Sequence, residues 1–89
     1  MPSSRTPRPT RVEVNFAAVL VFQDGTTSDI IVRDLSRNGF RIEISDELDE
    51  GEQVCLRAGK YGDMPAEIRW VRGFEAGGVF LEEPEQLTL

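Results

Sequence analysis

The pattern of apolar and polar positions divides the chain into short segments separated by turns. At the start, Val12, Val14 and Phe16 alternate with polar residues, and residues 17–22 are then continuously apolar. Alternation with a period of two is typical of a strand with one buried face, and a continuous apolar run is typical of a strand buried on both faces. We therefore predict a first strand at about residues 11–22, with its second half covered on both sides.

Two pairs of turn residues delimit the next two strands. Asp24-Gly25 is an Asp-Gly hairpin turn, and the apolar residues that follow it predict a second strand at about 27–34. Asn38-Gly39 provides the next turn, after which apolar and polar residues alternate again and predict a third strand at about 39–44.

The second half of the chain continues the same pattern. The acidic residues 45–51 predict a solvated loop, with at most one helical turn and a single apolar anchor, Leu48. Beyond this loop we predict, in chain order, a fourth strand at 54–58, a glycine-flanked loop at 59–63, a fifth strand at 64–72 and a short sixth strand at 79–81.

Six short strands joined by close turns predict an all-β fold, and closing them into an antiparallel barrel removes the exposed edges that promote aggregation. With 89 residues the chain is long enough for one domain and too short for two. We assign that domain to residues 11–89. Residues 1–10 contain three prolines and no large apolar residue after Met1, so we predict a flexible basic arm there.

The charge of the chain is unevenly distributed. Its net charge is −6, but residues 1–11 carry three arginines and no acid, whereas residues 12–89 carry 16 acids and seven bases. Nonspecific binding to nucleic acid requires clustered bases that release counterions. A barrel that binds single-stranded nucleic acid would also need a basic groove with exposed aromatic rings. We therefore expect no DNA or RNA partner.

Few residues are available for catalysis or metal binding. The chain has no histidine and only one cysteine, Cys55, which excludes an internal disulfide and the common zinc, copper and haem ligand sets. No nucleophile has a histidine base beside it, and the paired carboxylates lie in polar stretches that do not raise a carboxyl pKa. We expect no catalytic residue, no metal site, no cofactor and no enzymatic activity.

The apolar residues predict a buried core rather than a membrane anchor. No run approaches the about 18 apolar residues of a membrane span, and the N-terminal residues lack the apolar stretch of a secretory signal, so we expect a cytoplasmic monomer without membrane insertion. In so small a domain we expect Trp70 and the phenylalanines in the core, with Phe74 between Gly73 and Glu75 as the exception. We expect Cys55 to be a buried small apolar residue.

Two features carry candidate binding chemistry. The first is the arginines of the arm, Arg5 and Arg8, with Arg11 at its end. The second is the run Asp34-Leu35-Ser36-Arg37-Asn38-Gly39 between the second and third strands. Each has an ordinary structural explanation, because a basic arm keeps proteins soluble and Asp and Ser side chains accept backbone N–H bonds in turns.

Taken together, the two features resemble the PilZ domain family, whose signature is D/N-x-S-x-x-G preceded by an arginine pair. Arg11 lies 23 positions before Asp34. The resemblance extends to Ala66-Glu67-Ile68-Arg69-Trp70-Val71 and Gly78-Val79-Phe80-Leu81, which are similar to the closing strands of that family. The chain departs from the family in one respect, since the arginine motif is R-x-x-x-R and Pro7 occupies the position of its first arginine.

The resemblance implies a six-stranded barrel that binds cyclic di-GMP between the arm and the turn after the second strand. It implies that Arg8 and Arg11 clamp phosphate and guanine, that Asp34 and Ser36 bond the other edge of the guanine, and that Gly39 leaves room for close approach. Arg5, Arg37 and Asn38 are auxiliary candidates. The function implied is a receptor whose arm orders on binding and changes the surface offered to a protein partner. The alternative is a degenerate PilZ domain that binds no nucleotide and acts by protein contact.

Overall fold

The computed structural model describes residues 11–82, and their side chains from residue 14 onward. It contains six strands and one short 3₁₀ turn: β1 Arg11–Phe22, β2 Thr27–Ser36, β3 Gly39–Ile44, β4 Gln53–Arg57, the 3₁₀ turn Gly59–Tyr61, β5 Asp63–Arg72 and β6 Glu75–Phe80. The strands pair in the order β1-β2-β3-β6-β5-β4, and β4 pairs back with β1 to close the barrel. Every pair is antiparallel, so the predicted fold is confirmed. The predicted arm, residues 1–10, lies outside the described residues.

The first five predicted strands agree with the structure to within two residues, but the predicted start of the sixth was wrong. It begins at Glu75 rather than at 79, because Gly77 and Gly78 are paired in the sheet and do not form a linker. A Cβ at Gly78 would lie 2.7 Å from Cζ of Phe40, and a Cβ at Gly77 would overlap the indole of Trp70. These glycines occur within a strand because large neighbouring side chains and, at Gly78, the carbonyl oxygen of Glu67 fill the space beside them.

The second half of β1 is not covered on both faces, contrary to the prediction. Ala18 and Leu20 point into the barrel and are buried, whereas Ala17 is exposed and Val19 and Val21 are half-buried. The reason is architectural, since no layer of the described structure covers the outside of the barrel. The apolar run therefore contributes one face to the core and leaves an apolar strip outside.

The core fills the barrel with aliphatic side chains. Leu20, Ile42, Leu56 and Ile68 are fully buried, and burying each contributes about 1.5–3 kcal/mol relative to an exposed position. The acidic loop after β3 contains no helix and contributes the predicted anchor, Leu48, to this core.

Three strands each contain one residue more than the partner strand at a point where the pairing shifts register, which is the pattern of a β-bulge. In β1 the shift lies between Glu13 and Phe16, in β2 between Val32 and Asp34, and in β5 between Ile68 and Trp70. Because neighbouring residues of a strand point to opposite faces, one extra residue exchanges the inward and outward positions beyond it. The shifts in β2 and β5 therefore decide which way Asp34 and Trp70 point.

The expectations for the aromatic residues and Cys55 were met only in part. Phe40 is buried, three further phenylalanines (Phe16, Phe22 and Phe80) pack against the core, and Phe74 is 74% exposed as expected. The core assignment of Trp70 was wrong, because the shift in β5 places it outside the barrel opposite Gly77. Cys55 is half-buried rather than buried. The pKa of its thiol is raised, mainly by partial burial and to a smaller extent by the nearby carboxylate of Asp63.

No helix within residues 11–82 is long and apolar enough to cross a membrane.

Candidate functional site

Asp34 lies on the outer surface of the barrel because of the register shift in β2. Under strict alternation it would share the inward face of Ile30 and Val32. The extra residue instead pairs Asp34 with Arg41, which points outward, and the next residue, Leu35, with the buried Phe40. Residues directly opposite each other in a sheet share a face, so Asp34 and Arg41 are neighbours outside the core.

Arg41 holds the carboxylate of Asp34. Its Nε donates to Oδ2 of Asp34, and its Nη1 donates to Oε2 of Glu75 at 2.8 Å. Asp34 is only 5% exposed, and a carboxylate so well shielded from water requires such a charged partner. A ligand that bonds Asp34 must therefore share it with Arg41, which is chemically feasible because a carboxylate accepts several hydrogen bonds.

Ser36 organises the turn between β2 and β3. Its Oγ accepts hydrogen bonds from the backbone N–H of Asn38 at 3.3 Å and of Gly39 at 3.2 Å, and it lies 3.3 Å from the carbonyl oxygen of Gly39. These bonds are the ordinary structural role of a serine in a turn. The hydroxyl lies at the rim of the candidate site, with its hydrogen-bonding capacity largely used by the turn.

The space beside Gly39 is filled by the protein itself. Gly39 does not have a positive φ, so the turn does not require glycine for its backbone conformation. A Cβ at this position would instead overlap the carbonyl oxygen of Gly78 in β6. The close approach that the resemblance assigned to a ligand is thus made by the neighbouring strand.

The backbone register brings the start of β1 to the same turn. Arg11 lies opposite Ser36, and Glu13 lies opposite Asp34. The side chain of Arg11, together with Arg5 and Arg8, lies outside the described residues. The chain therefore enters the barrel directly beside the motif of the second turn.

The other two predicted site residues lie at the tip of the turn. Arg37 and Asn38 are both exposed. The carbonyl of Asn38 accepts a hydrogen bond from the backbone N–H of Phe80 at 2.9 Å, which ties the tip of the turn to the end of β6.

A groove of about 330 Å³ runs across the outer surface beside this turn. We call it the motif groove. It is lined by the motif residues Asp34, Leu35, Ser36, Asn38 and Gly39, and by Phe40, Arg41, Arg69, Trp70, Gly78 and Val79. Arg37 does not line it. The structure thus brings four of the predicted site residues together and adds Arg41, Arg69 and Trp70, which the sequence analysis did not assign to the site.

Trp70 reaches this groove because Gly77 has no side chain. Trp70 and Gly77 are paired across β5 and β6, Gly77 is paired with Arg41, and Arg41 is paired with Asp34. The indole lies over Gly77 in that row, with the guanidinium carbon of Arg72 5.8 Å from its ring centroid. The sequence signal that could have indicated this placement is the Gly77-Gly78 pair in a strand next to a tryptophan.

The motif groove combines groups that suit a nucleotide with a planar base. A half-buried indole offers an aromatic face for stacking. A carboxylate oriented by Arg41 is an acceptor of the kind that base N–H groups bond, and the exposed Arg69, whose Nη1 lies 3.9 Å from Oε1 of Glu67, is a cation of the kind that pairs with phosphate. No group of three or more potential metal-ligating side chains occurs in the described part of the chain.

Comparison with protein-family models matches residues 3–88 to the PilZ domain, which is nearly the whole chain. No curated protein matches the sequence significantly.

Proposed function

Because the chain belongs to the PilZ domain family, whose members are cyclic di-GMP-binding receptor and adaptor modules, we propose that it is a cyclic di-GMP receptor with no enzymatic activity. The single observation that carries this proposal is the register of β1 on β2, which places Arg11 opposite Ser36. The basic arm therefore leaves the barrel beside the Asp34–Gly39 turn, where both can contact one ligand.

The groove and the arm would divide the ligand between them. The guanidinium groups of Arg8 and Arg11 pair with the phosphates and with the O6/N7 edge of guanine. Asp34, oriented by Arg41, accepts hydrogen bonds from the N–H groups on the other edge of the guanine. Trp70 stacks on the base, while Arg5, Arg37 and Asn38 supply further polar contacts at the rim.

The irregular arginine spacing lowers the expected affinity without abolishing it. Losing one charge-assisted hydrogen bond costs roughly 1.5–3 kcal/mol, which is about 10–100-fold in affinity. Stacking a base on an aromatic side chain contributes about 1–3 kcal/mol, so Trp70 offsets a loss of this size. We therefore propose that Pro7 in place of the first arginine is tolerated because the indole contributes the missing free energy.

The output of binding is a change of surface. The arm carries two arginines, Arg11 follows it at the start of β1, and residues 12–89 are acidic, so ligand that draws the arm onto the barrel changes the charge presented beside the motif groove. We propose that a protein partner responds to this change, and that the chain acts as a monomer in the bacterial cytoplasm.

The second candidate function is that of a degenerate PilZ domain that binds no nucleotide and acts by protein contact alone. Two observations favour it. Pro7 breaks the arginine motif, and the motif side chains Asp34 and Ser36 already bond to Arg41 and to the turn.

Isothermal titration calorimetry with cyclic di-GMP separates the two candidates. The full chain is titrated beside a variant lacking residues 1–10 and beside Asp34→Ala. Asp24→Ala is the matched control, because Asp24 is the acid of the other hairpin turn and lies outside the motif groove. We expect saturable low-micromolar binding that is retained in Asp24→Ala and lost in the other two variants.

A second cyclic dinucleotide with adenine bases serves as the ligand control, because it offers a different hydrogen-bonding edge to Asp34. Absence of heat with cyclic di-GMP up to several hundred micromolar would overturn the receptor proposal in favour of the degenerate domain. Binding that survives both the truncation and Asp34→Ala would show that the ligand occupies another surface.

A further inference from the structure

A second groove lies on the outside of the barrel, where β1, β2 and β3 run side by side. It has a volume of about 800 Å³ and does not contain any residue of the Asp34–Gly39 turn. We call it the outer groove, and the lining residues that define it here are Ala17, Val19, Asp29, Ile31, Glu43 and Phe74.

The apolar part of the outer groove is the strip that the continuous apolar run of β1 leaves outside the core. Ile31 lies between Ala17 of β1 and Glu43 of β3 in the sheet, and Val19 lies one row away. Phe74 stands beside them and is 74% exposed. An aromatic side chain next to an apolar strip is a typical anchor of a protein interface.

The position of Phe74 is well defined although its side chain is exposed. It lies in the turn between β5 and β6, and its carbonyl oxygen accepts a hydrogen bond from the backbone N–H of Ile44 at 2.8 Å. That bond holds the turn against the end of β3. The backbone that carries the ring is therefore held against the sheet, which lowers the backbone entropy lost when a partner binds.

The charged residues of the outer groove are all acidic. Asp29 and Glu43 line it, and no lysine or arginine does. Glu43 is paired with Arg33 at 2.7 Å, whereas Asp29 forms no ion pair with any described residue. Residues 12–89 also carry 16 acids against seven bases, so the surroundings add to the negative potential.

We propose that the outer groove is the docking surface for a partner protein, and that it takes a short segment with apolar side chains flanked by lysine or arginine. Apolar residues of that segment pack on Ile31 and Phe74, and its bases face Asp29 and Glu43. A second copy of this chain fits less well, because two such grooves face to face would bring like carboxylates together.

This surface supplies the protein partner of the proposed function, but it does not depend on nucleotide binding. It is connected to the motif groove by Glu75, which follows Phe74 in the chain and accepts a hydrogen bond from the same Arg41 that holds Asp34. The test is run without nucleotide, so its failure and a failure to bind cyclic di-GMP are separate results.

Selection from a library of random peptides displayed on phage tests both the surface and the chemistry of its partner. The full chain is the bait, and peptides that also bind Phe74→Ser are removed. The recovered peptides are sequenced, synthesised and titrated by calorimetry. We expect an excess of Lys and Arg beside Leu or Phe, at least about tenfold weaker binding to Phe74→Ser, and about threefold weaker binding to Asp29→Asn.

Leu81→Ser is the matched control, because Leu81 is 47% exposed and lies outside the outer groove. This variant should bind the selected peptides as tightly as the unchanged chain does. Circular dichroism checks that each variant remains folded. The proposal would be overturned if no recovered peptide bound the unchanged chain more tightly than Phe74→Ser. It would also be overturned if the recovered peptides were acidic. Sedimentation that shows a dimer of the full chain lost in Phe74→Ser would likewise overturn it, because the occupant would then be a second copy.

Discussion

The first two hairpin turns of the chain contain the same kind of residue pair but have different structural roles. Asp24-Gly25 joins β1 to β2, and Asn38-Gly39 joins β2 to β3. Gly25 has a φ of +90° and nothing within 4 Å of the place where a Cβ would be, so it is there for its backbone conformation. Gly39 has no positive φ and is there because the carbonyl of Gly78 fills the space beside it.

The acceptor side chains of the two turns differ in the same way. Asp24 serves only its own turn, accepting bonds from the hydroxyl of Thr26 at 2.7 Å and from its N–H at 3.0 Å. Ser36 also accepts bonds from its own turn. That turn, however, is hydrogen-bonded to β6 through the N–H of Phe80, and Ser36 is paired with Arg11 at the start of β1. The Asn38-Gly39 turn is thus tied to two other strands, and this places its residues in the motif groove.

The largest effect expected from this comparison is on stability. Replacing Gly39 with Ala should lower the free energy of unfolding by about 3 kcal/mol, because the new Cβ meets backbone that cannot move aside. Replacing Gly25 with Ala should cost about 1 kcal/mol, the strain of a positive φ in an L residue. Urea unfolding of both variants, analysed for midpoint and slope, measures the difference.

Equal losses in the two variants would contradict the distinction between the turns. A larger loss for Gly25→Ala would reverse it, and would mean that the Gly78 carbonyl can move to accommodate a methyl group.

The next largest effect is on ligand affinity. It distinguishes the half-buried Trp70, which lines the motif groove, from the exposed Phe74, which does not. Replacing Trp70 with Leu removes the ring beside the Asn38-Gly39 turn, and should weaken cyclic di-GMP binding about tenfold, since stacking contributes about 1–3 kcal/mol per base. Replacing Phe74 with Leu, outside the motif groove, should leave the affinity unchanged. Calorimetric titration gives both values.

The fluorescence of Trp70 provides an independent measurement, because it is the only tryptophan of the chain. Its emission should change during a titration with cyclic di-GMP and should saturate with the calorimetric Kd. An unchanged affinity in Trp70→Leu would remove the indole from the site.

The smallest effect is a pH dependence confined to the first turn. The hydrogen bond from the Thr26 hydroxyl, and to a smaller extent the one from the Thr26 backbone N–H, holds the pKa of Asp24 below its ordinary value of 3.8. A lowered pKa in the folded state stabilises the protein above the unfolded pKa, and this contribution is lost as the pH falls through the folded value. Asp24→Asn should therefore be slightly less stable than the unchanged chain at pH 7, and equally stable in strong acid.

Urea midpoints of the two proteins at neutral pH and near pH 2 test this directly. Asp29→Asn is the control, since the side chain of Asp29 forms no hydrogen bond or ion pair with a described residue. A difference between Asp24→Asn and the unchanged chain that persists undiminished into acid would show that the charge of Asp24 is not its source.

Much of the architecture could be predicted from local pattern. Periodicity and turn residues located five strands to within two residues, and the acidic loop kept its predicted anchor, Leu48. The sixth strand was predicted to begin too late because Gly77 and Gly78 have low strand propensity when considered alone. They belong to β6 because Trp70 and Phe40, from other strands, occupy the space that side chains there would need.

The candidate site was predicted in part. Asp34, Ser36, Asn38 and Gly39 line one groove, and the space beside Gly39 is occupied by the carbonyl of Gly78. Arg41 was not assigned to the site because the sequence analysis did not extend the register of the Asn38-Gly39 hairpin to the pair Asp34–Arg41. The ligand roles of all the predicted site residues, in the arm and in the turn, stay predictions.

The sequence by itself determined the number of strands, the positions of the turns and the acidity of the domain, because these depend on residues close together in the chain. The tertiary structure alone decided which way Asp34 and Trp70 point. Each follows a register shift, and a shift exists only in relation to the partner strand. Strict alternation would have placed both side chains in the core, and one extra residue in each strand brings them to the outer face of the barrel beside Arg41.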